Sequence, residues 1–318
     1  MDDRVAGTLV AAACADALGV AYEPSQRGPA DGQPQMLGGG YGDYAAGEYS
    51  DDTQMAVVIA EVAAEGLDLR TDEALDRIAA GFVVKWFGGG ATDVGAQTRS
   101  LLGQAAATPF REAGGAALLR AIGAGMHARS GRTAGNGSLM RTAPVALAYP
   151  GDPDAIVEAA RAVSALTHHD PVAGDACALW CLAIDHAIRT GELDVRVGLD
   201  RVDSAEDWDA RIATAEAEPP SAFAPASGWV VAAFQAAWSA IVRVRRIEDQ
   251  AERLRSGIVG AVNGGGDTDT VAAIAGALLG AACGESAVPA EWRTIVHGWP
   301  GLDADGLARL ALACRRVG

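Results

Sequence analysis

The chain has 318 residues, of which half are hydrophobic and only 5% aromatic, and its formal net charge at pH 7 is −16. The length is ample for one large domain or two ordinary ones, and the charge argues against a nucleic-acid backbone as the main partner. The acidic N-terminus is unlike a signal peptide and no segment looks long and apolar enough to cross a membrane, so we expect a cytoplasmic protein without a membrane partner.

Apolar residues recur at helical spacing along almost the whole chain, and few segments alternate between apolar and polar residues as a strand would. Helices are predicted, in chain order, at 4–20, 52–65, 71–87, 94–106, 114–126, 153–166, 171–190, 205–217, 227–243, 247–262, 269–283 and 304–316. Those at 4–20, 171–184 and 271–283 are apolar on nearly every side, so we expect them at the centre. Alanine, which favours helix, dominates the apolar residues. The sequence therefore predicts an all-α protein, a single compact orthogonal helical domain over 1–318, with the acidic segment 191–225 as a surface insertion.

The first predicted helix is followed by a glycine-rich loop that begins with a carboxylate. Glu23 precedes Pro24, and the loop holds Gly28, Gly32 and three consecutive glycines at 38–40. Glycine tolerates backbone angles that other residues avoid, so such a loop moves at little steric cost. Glu23 is therefore either a solvated surface charge or a gate over a neighbouring site.

Two acidic tetrads stand directly before apolar helical runs. They are Ser50-Asp51-Asp52-Thr53 and Asp267-Thr268-Asp269-Thr270. Taken singly, each fits a helix cap, because Ser, Thr and Asp are preferred there and Asp suits the helix dipole. A cap needs one short polar side chain, however, and here four stand in a row, with Gly264-Gly265-Gly266 before the second tetrad.

The two tetrads together predict a metal centre. Carboxylate and hydroxyl oxygens are the ligands that hard divalent cations prefer, whereas zinc favours nitrogen and sulfur. If the two helix N-termini meet in space, they form an oxygen-only site with room for two Mg²⁺ or Mn²⁺ ions. Two such ions can hold a water and polarise a substrate oxygen together.

Four further residues or motifs have both a functional and a structural interpretation. Asp93 either caps the helix at 94 or contacts a ligand. The segment 135–138 is a plain turn before a helix or a cradle of exposed N–H groups for phosphate. His168 is a capping or hydrogen-bonded core histidine, or a ligand contact. Arg141 is a phosphate partner or a member of a structural ion pair, and the ion pair is slightly preferred.

Cysteines and tryptophans are expected in the core. The five cysteines, at 14, 177, 181, 283 and 314, are odd in number and scattered in apolar contexts, which is typical of buried thiols in a reducing compartment. Trp229, Trp238, Trp292 and Trp299 are likewise expected to be core residues rather than a stacking platform for a ligand.

Seven short motifs occur in a fixed order over residues 5–300. They are Gly19-Val-Ala-Tyr-Glu23, Tyr49-Ser-Asp-Asp-Thr-Gln54, Asp93-Val-Gly-Ala-Gln-Thr-Arg99, Gly135-Asn-Gly-Ser-Leu-Met-Arg141, Thr167-His168, Ser227-Gly-Trp-Val230 and Asn263-Gly-Gly-Gly-Asp-Thr-Asp-Thr270. Each is weak alone, but in this order they resemble the ADP-ribosylglycohydrolase, or ADP-ribosyl-acceptor hydrolase, family, which includes the enzyme that reactivates dinitrogenase reductase. The resemblance implies an all-α fold, a binuclear Mg²⁺ or Mn²⁺ centre and hydrolysis of the glycosidic bond between ADP-ribose and an acceptor. The partner would be an ADP-ribosylated protein or a small ADP-ribose conjugate, and we expect a monomer.

The resemblance also implies roles for residues at the matching positions. Six residues would bind the metal ions, and Asp269 would contact both ions; the six are Ser50, Asp51, Asp52, Asp267, Asp269 and Thr270. Substrate contacts would come from Asp93, Gly135, Asn136, Gly137, Ser138 and His168, with 135–138 around the diphosphate and Asp93 at the distal ribose. Catalysis would involve Glu23, Asp52 and Asp269, and Glu23 would shield the metal centre until substrate enters.

Other functions leave parts of the sequence unexplained. An HD-type phosphohydrolase is also all-α and metal-dependent, and His169-Asp170 suggests one, but the plausible upstream histidine, His127, has unsuitable surroundings and both tetrads stay unused. An isoprenoid synthase needs a third Asp that 51–55 lacks. A catalytically weak ADP-ribose-binding or structural relative is the main alternative. The acceptor stays open between arginine, slightly favoured, serine, a nucleic-acid end and a small molecule.

Overall fold

The computed structural model describes residues 1–315, and these form a mostly helical protein. The α-helices are α1 (Asp2–Gly19), α2 (Asp51–Ala64), α3 (Asp72–Ala80), α4 (Ala96–Ala106), α5 (Gly115–Ser130), α6 (Ala143–Ala148), α7 (Pro153–Ser164), α8 (Pro171–Thr190), α9 (Ala205–Ala217), α10 (Val230–Val244), α11 (Gln250–Asn263), α12 (Thr268–Cys283), α13 (Ala290–Ile295) and α14 (Ala304–Ala313). A π-helical segment, Gly81–Phe87, continues α3, and the two-residue strands β1 (His297–Gly298) and β2 (Leu302–Asp303) pair antiparallel. The prediction of an all-α fold is confirmed.

The centre of the fold is the pair α1 and α12, packed closely along their lengths. All sixteen residues of α12 are buried, so this helix touches protein on every side. Small residues set the distance between the two backbones: a Cβ added at Gly280 would lie 2.1 Å from the Gly7 carbonyl oxygen, and one at Gly276 2.6 Å from that of Ala11. The alanine- and glycine-rich composition therefore permits backbone contact between the two helices.

Around this pair lie α8, α10, α11 and α14, and α2 packs on α1, α6 and α14. The segment 191–225, expected as a surface insertion, contains α9, whose Trp208 and Ile212 are buried. The Trp208 ring lies 5.1 Å from that of Phe234 on α10, which in turn meets Trp180 of α8 at 4.9 Å. One face of α9 is therefore part of the core.

Two short helices, α6 and α13, are absent from the predicted set because six residues are too few to show helical periodicity. The prediction of one helix over 71–87 differs from the structure, in which the hydrogen-bond pattern changes at Gly81. The last residue of the predicted helix 304–316 lies outside the described residues.

Two helical stretches of the described chain are long and apolar enough to cross a membrane by length and composition, contrary to the sequence-based expectation. They are Asp2–Ser25 and Pro171–Thr190, and 83% of the apolar window of each is buried inside the protein. These stretches contain α1 and α8, which the fold uses as core helices. Their apolarity is therefore explained by burial within the domain.

Candidate active site

Three chain segments carry the acidic residues to one place. The N-terminus of α2 supplies Ser50, Asp51 and Asp52, and the N-terminus of α12 supplies Asp267, Asp269 and Thr270. The third segment is the end of α1 with the short 3₁₀ turn Val20–Ser25, which carries Glu23. The two tetrads, far apart in sequence, thus meet at adjacent helix N-termini.

A glycine allows α1 to end directly against the first turn of α12. A Cβ added at Gly19 would lie 2.4 Å from the Asp269 Cα atom, a distance that real side chains do not adopt. Thr268 donates its hydroxyl hydrogen to the Gly19 carbonyl oxygen at 2.9 Å and fastens the two segments together. The position of the Asp269 carboxylate relative to α1 is therefore fixed by backbone contact.

The carboxylates form two groups that share one member. Oxygens of Asp16, Asp52 and Asp269 all lie within 4.8 Å of one another, and so do those of Glu23, Asp267 and Asp269. Either group can hold a metal ion. Asp269 belongs to both groups. The family resemblance implies that the residue at this position contacts both ions.

Asp16 was not among the predicted site residues. Its carboxylate lies fully buried on α1 and accepts hydrogen bonds from the Ser50 N–H at 2.9 Å, the Thr53 N–H at 3.1 Å and the Thr53 hydroxyl at 2.6 Å. It therefore caps α2 from a neighbouring helix and fixes the first tetrad. A charged residue inside an otherwise apolar central helix is the signal in the sequence that points to it.

Buried oxygens without partners test whether a cation fits this cluster. Asp52 Oδ1 and Glu23 Oε2 are buried and have no hydrogen-bond partner among residues 1–315. Burial of a carboxylate without compensation is costly, and a hard cation is the partner that oxygen-only ligands suit. The residues present therefore fit a divalent metal such as Mg²⁺ or Mn²⁺.

Electrostatics lead to the same conclusion. Burial, followed by the charges of Asp267, Asp93 and Asp51, raises the pKa of Glu23 to about 9. Burial and neighbouring carboxylates also raise the pKa of Asp51, Asp52 and Asp269 well above the usual range. So many carboxylates resist ionisation together unless positive charge compensates them.

Of the six predicted metal ligands, the structure places five beside the cavity or in the carboxylate groups. Asp51 and Thr270 line the cavity described below, together with Asp267 and Asp269. Ser50 is buried behind them and donates its hydroxyl hydrogen to Asp52 Oδ2 at 3.0 Å. Its hydroxyl therefore orients Asp52 in this arrangement.

A cavity of about 640 Å³ opens from the acidic cluster, a size that suits a nucleotide-sized ligand. Its lining includes the predicted substrate residues Asp93, Gly135, Asn136, Gly137 and His168 and the predicted catalytic residues Glu23 and Asp269. The Ser138 side chain is not part of this lining, because its hydroxyl is buried and accepts a hydrogen bond from Ser164 at 2.9 Å. Most of the predicted substrate residues thus share one cavity with the carboxylates.

The glycine loop is joined directly to the acidic cluster. Asn136 Nδ2 donates to Asp267 Oδ2 at 2.6 Å and to the Ser227 carbonyl oxygen at 2.9 Å. The ring of His168 packs against the loop so closely that a Cβ at Gly135 would lie 3.2 Å from its Nε2 atom and one at Gly137 3.2 Å from its Cε1 atom. A side chain at either position would therefore press on the histidine ring and require it to shift by a few tenths of an ångström.

Two predictions about other side chains were wrong. Trp229, expected in the core, is 46% exposed and lines the cavity beside Gly135, whereas Trp238 and Trp292 are buried as expected. Trp299 is partly buried against the core.

Arg141 has no ion-pair partner within residues 1–315. It lies fully buried, 4.5 Å from the Phe82 ring centroid, and does not line the cavity. The five cysteines are free and buried, as predicted.

Comparison with known proteins gives one consistent family. The family model for ADP-ribosylglycohydrolase matches residues 1–317. An ADP-ribosylarginine hydrolase, Tri1, from Pseudomonas putida (strain GB-1) is 31% identical over 296 residues, which cover 91% of this chain and 73% of that protein. The ADP-ribosyl-[dinitrogen reductase] glycohydrolase of Rhodospirillum rubrum is 27% identical over 304 residues, which cover 91% of this chain and 89% of that protein.

A solved structure titled "ADP-ribosylglycohydrolase-related protein complex" superposes with a TM-score of 0.71 at 27% identity, covering 98% of this chain and 97% of that one. The mostly helical fold agrees with this family model. The chain belongs to the ADP-ribosylglycohydrolase family. The sequence-based predictions of family and enzyme class are therefore confirmed.

Proposed function

We propose that this protein hydrolyses the glycosidic bond between ADP-ribose and an arginine side chain, with two Mg²⁺ or Mn²⁺ ions at the carboxylate groups that share Asp269. The observation that carries the proposal is the continuity of one cavity from the acidic cluster to the glycine loop. The arginine acceptor is favoured by similarity to an ADP-ribosylarginine hydrolase over most of the chain.

The two ends of the cavity suit the two ends of ADP-ribose. The N–H groups of Gly135 and Asn136 already donate to Gln97 Oε1 and the Gly228 carbonyl oxygen, so Gly137 and the neutral His168 ring are the donors left for a diphosphate. The exposed indole of Trp229 offers a face on which adenine can stack. The distal ribose then reaches Asp93, Asp51 and Asp269. This orientation places the anomeric carbon beside the carboxylates.

The chemistry follows from this placement. Asp51, Asp52, Asp267, Asp269 and Glu23 would hold the divalent cations, which would supply Lewis-acid stabilisation and lower the pKa of water when bound. The carboxylates around the ribose stabilise the positive charge that develops on the ring as the glycosidic bond breaks. Glu23 lies on the 3₁₀ turn at the cavity wall, where its carboxylate can accept the proton of the attacking water or be displaced when substrate enters.

A defined panel of substrates tests the proposal. Purified protein with Mg²⁺ is incubated with peptides ADP-ribosylated on arginine or on serine and with an O-acetylated ADP-ribose, and released ADP-ribose is quantified by mass spectrometry. We expect release from the arginine conjugate with at least a tenfold preference over the serine conjugate. Preference for serine or for the small conjugate would overturn the acceptor assignment and leave the reaction class in place.

The alternative, a non-hydrolytic ADP-ribose reader, gives a different result in the same experiment. A reader binds ADP-ribose in calorimetric titration but releases none from any conjugate. The buried oxygens of Asp52 and Glu23 without hydrogen-bond partners suit a bound cation in either case, so turnover is the measurement that separates enzyme from reader. Binding without turnover at saturating Mg²⁺ and Mn²⁺ would replace hydrolysis with recognition.

A further inference from the structure

A buried hydrogen-bond chain runs from Arg141 through Thr167 to His168 at the cavity wall. Arg141 Nη2 donates to Thr167 Oγ1 at 2.6 Å, and the same Oγ1 lies 2.7 Å from His168 Nδ1. All three side chains are buried. Only the histidine reaches the cavity.

The hydrogen-bonding capacity of each group favours one direction for this chain. A guanidinium has donors only, so the Thr167 oxygen must accept from Arg141. A hydroxyl has one hydrogen to donate, and the only further partner of Thr167 Oγ1 within residues 1–315 is His168 Nδ1. An oxygen that accepted from both neighbours would leave its own hydrogen buried without a partner; donation to Nδ1 avoids that cost and places the hydrogen of a neutral ring on Nε2.

The His168 ring is neutral under physiological conditions. Burial, followed by the charge of Arg141, lowers the pKa of His168 to about 3. Its Nε2 atom has no hydrogen-bond partner in the described part of the chain, and it lies against Gly135 and Gly137, which line the cavity together with His168. The molecule thus presents one fixed N–H donor, without a positive charge, to whatever lies against that loop.

The surroundings hold the chain in place. Gln97 Nε2 donates to the carbonyl oxygens of Thr133 and Thr167, both at 3.0 Å, which joins the residue before His168 to the segment that leads into the glycine loop. Within residues 1–315 Arg141 is a buried cation without a carboxylate partner, an arrangement that costs stability.

We propose that Arg141 and Thr167 are positioning residues that lock His168 in the Nε2–H tautomer, so that the ring donates a single hydrogen bond to an acceptor-only oxygen of the ligand. A diphosphate oxygen is such an acceptor. The opposite tautomer would turn a lone pair toward the phosphate and repel it. The choice of ligand rests on the proposed function, whereas the tautomer itself can be measured without any ligand.

The first test is spectroscopic and uses the ligand-free protein with Mg²⁺. In a long-range ¹H–¹⁵N correlation spectrum of ¹⁵N-histidine-labelled protein, with His168→Gln used to assign the signals, we expect a protonated Nε2 and an unprotonated, hydrogen-bonded Nδ1. The pattern should persist to pH 5, where an exposed histidine is protonated. A hydrogen on Nδ1, or a charged ring at pH 5, overturns the proposal whatever the protein binds.

The second test compares two substitutions at Thr167. Thr167→Val keeps the shape but removes the hydroxyl, so the tautomers should mix and ADP-ribose should bind roughly three- to tenfold more weakly, as for one weakened hydrogen bond to a charged group. Thr167→Ser keeps the hydroxyl and should match the parent. In turnover, Thr167→Val should raise KM and leave kcat nearly unchanged, because a diphosphate contact is made equally in ground and transition states.

The outcomes separate the possible failures. If Thr167→Val and Thr167→Ser weaken binding equally, packing rather than the hydroxyl matters and the proposal is wrong. If Thr167→Val matches the parent in both the His168 tautomer and the affinity for ADP-ribose, the hydrogen-bond chain has no role in positioning the ring. If the parent itself fails to bind ADP-ribose while its tautomer is as expected, the proposed function fails and the positioning of His168 stands.

Discussion

Substitution of Asp269 by Asn tests the shared carboxylate most directly. The change is nearly isosteric, and the Asn Oδ1 atom can still accept the hydrogen bond that Asp269 Oδ1 receives from the Thr270 N–H at 2.9 Å. It removes the one negative charge that belongs to both carboxylate groups. We expect turnover to fall by more than about a hundredfold, beyond the range seen when only the support of a metal ligand is removed.

The same variant should change stability in opposite directions with and without metal. Burial and the charges of Glu23, Asp52 and Asp267 all disfavour an ionised Asp269, so the metal-free variant should be at least as stable as the parent. With Mg²⁺ at about 100 times its Kd, the parent gains about 2.7 kcal/mol. At about 2 °C per kcal/mol for a chain of this size, that gain raises Tm by roughly 5 °C. The variant should lose most of this increment.

Differential scanning calorimetry in chelator and in Mg²⁺, together with release of ADP-ribose, measures both effects. Asp249→Asn is the matched control: Asp249 caps α11 through the Glu252 N–H at 3.0 Å, and Asn caps equally well. It should leave rate and metal response unchanged. A near-normal rate in Asp269→Asn, or an undiminished Mg²⁺-dependent rise in Tm, would refute the two-ion interpretation.

Three further predictions concern the same cavity. Exhaustive chelation should abolish turnover, and Mg²⁺ or Mn²⁺ but not Zn²⁺ should restore it; full activity in protein shown metal-free by elemental analysis would contradict this. Because burial and neighbouring charges raise the pKa of Glu23 from 4.5 to about 9, the metal-free protein should lose stability as pH rises through about 5 to 9. Mg²⁺ should flatten that decline in a Tm series, and a metal-free Tm that rises over the same range would oppose the argument. Glu23→Ala should fold and still bind metal but alter both ADP-ribose affinity, by calorimetry, and kcat; values equal to those of the parent would make Glu23 neither gate nor base.

Local patterns in the sequence were enough to predict the helices and the acidic tetrads, whereas the substrate residues of the cavity were expected from the family resemblance. Helical periodicity placed the long helices to within a few residues, and the tetrads marked the N-termini of α2 and α12. Six-residue helices such as α6 fall below the length at which periodicity is visible. Their position depends on tertiary packing, which spacing along the chain does not contain.

The residues that were mispredicted all depend on contacts between distant segments. Asp16 lies in an apolar helix, and only the folded protein shows that its carboxylate caps α2. Arg141 was expected to pair with a carboxylate, yet its neighbours are the Phe82 ring and the Thr167 hydroxyl. Trp229 stands next to the buried Val230, but an isolated antiparallel bridge to the distant Gly135 places it at the cavity, where it is exposed. A single sequence contains no record of these pairings.

Small side chains account both for the close packing of the core and for the position of the acidic cluster. Glycine and alanine along α1 and α12 let the two backbones touch, and that contact ends where Gly19 meets Asp269. Larger residues would separate the helices and move Asp16 away from Asp269, which would open the cluster. Close packing thus concentrates carboxylates that repel one another, and bound cations would offset that repulsion. The apolar packing of the two helices therefore determines where the charged site of this fold forms.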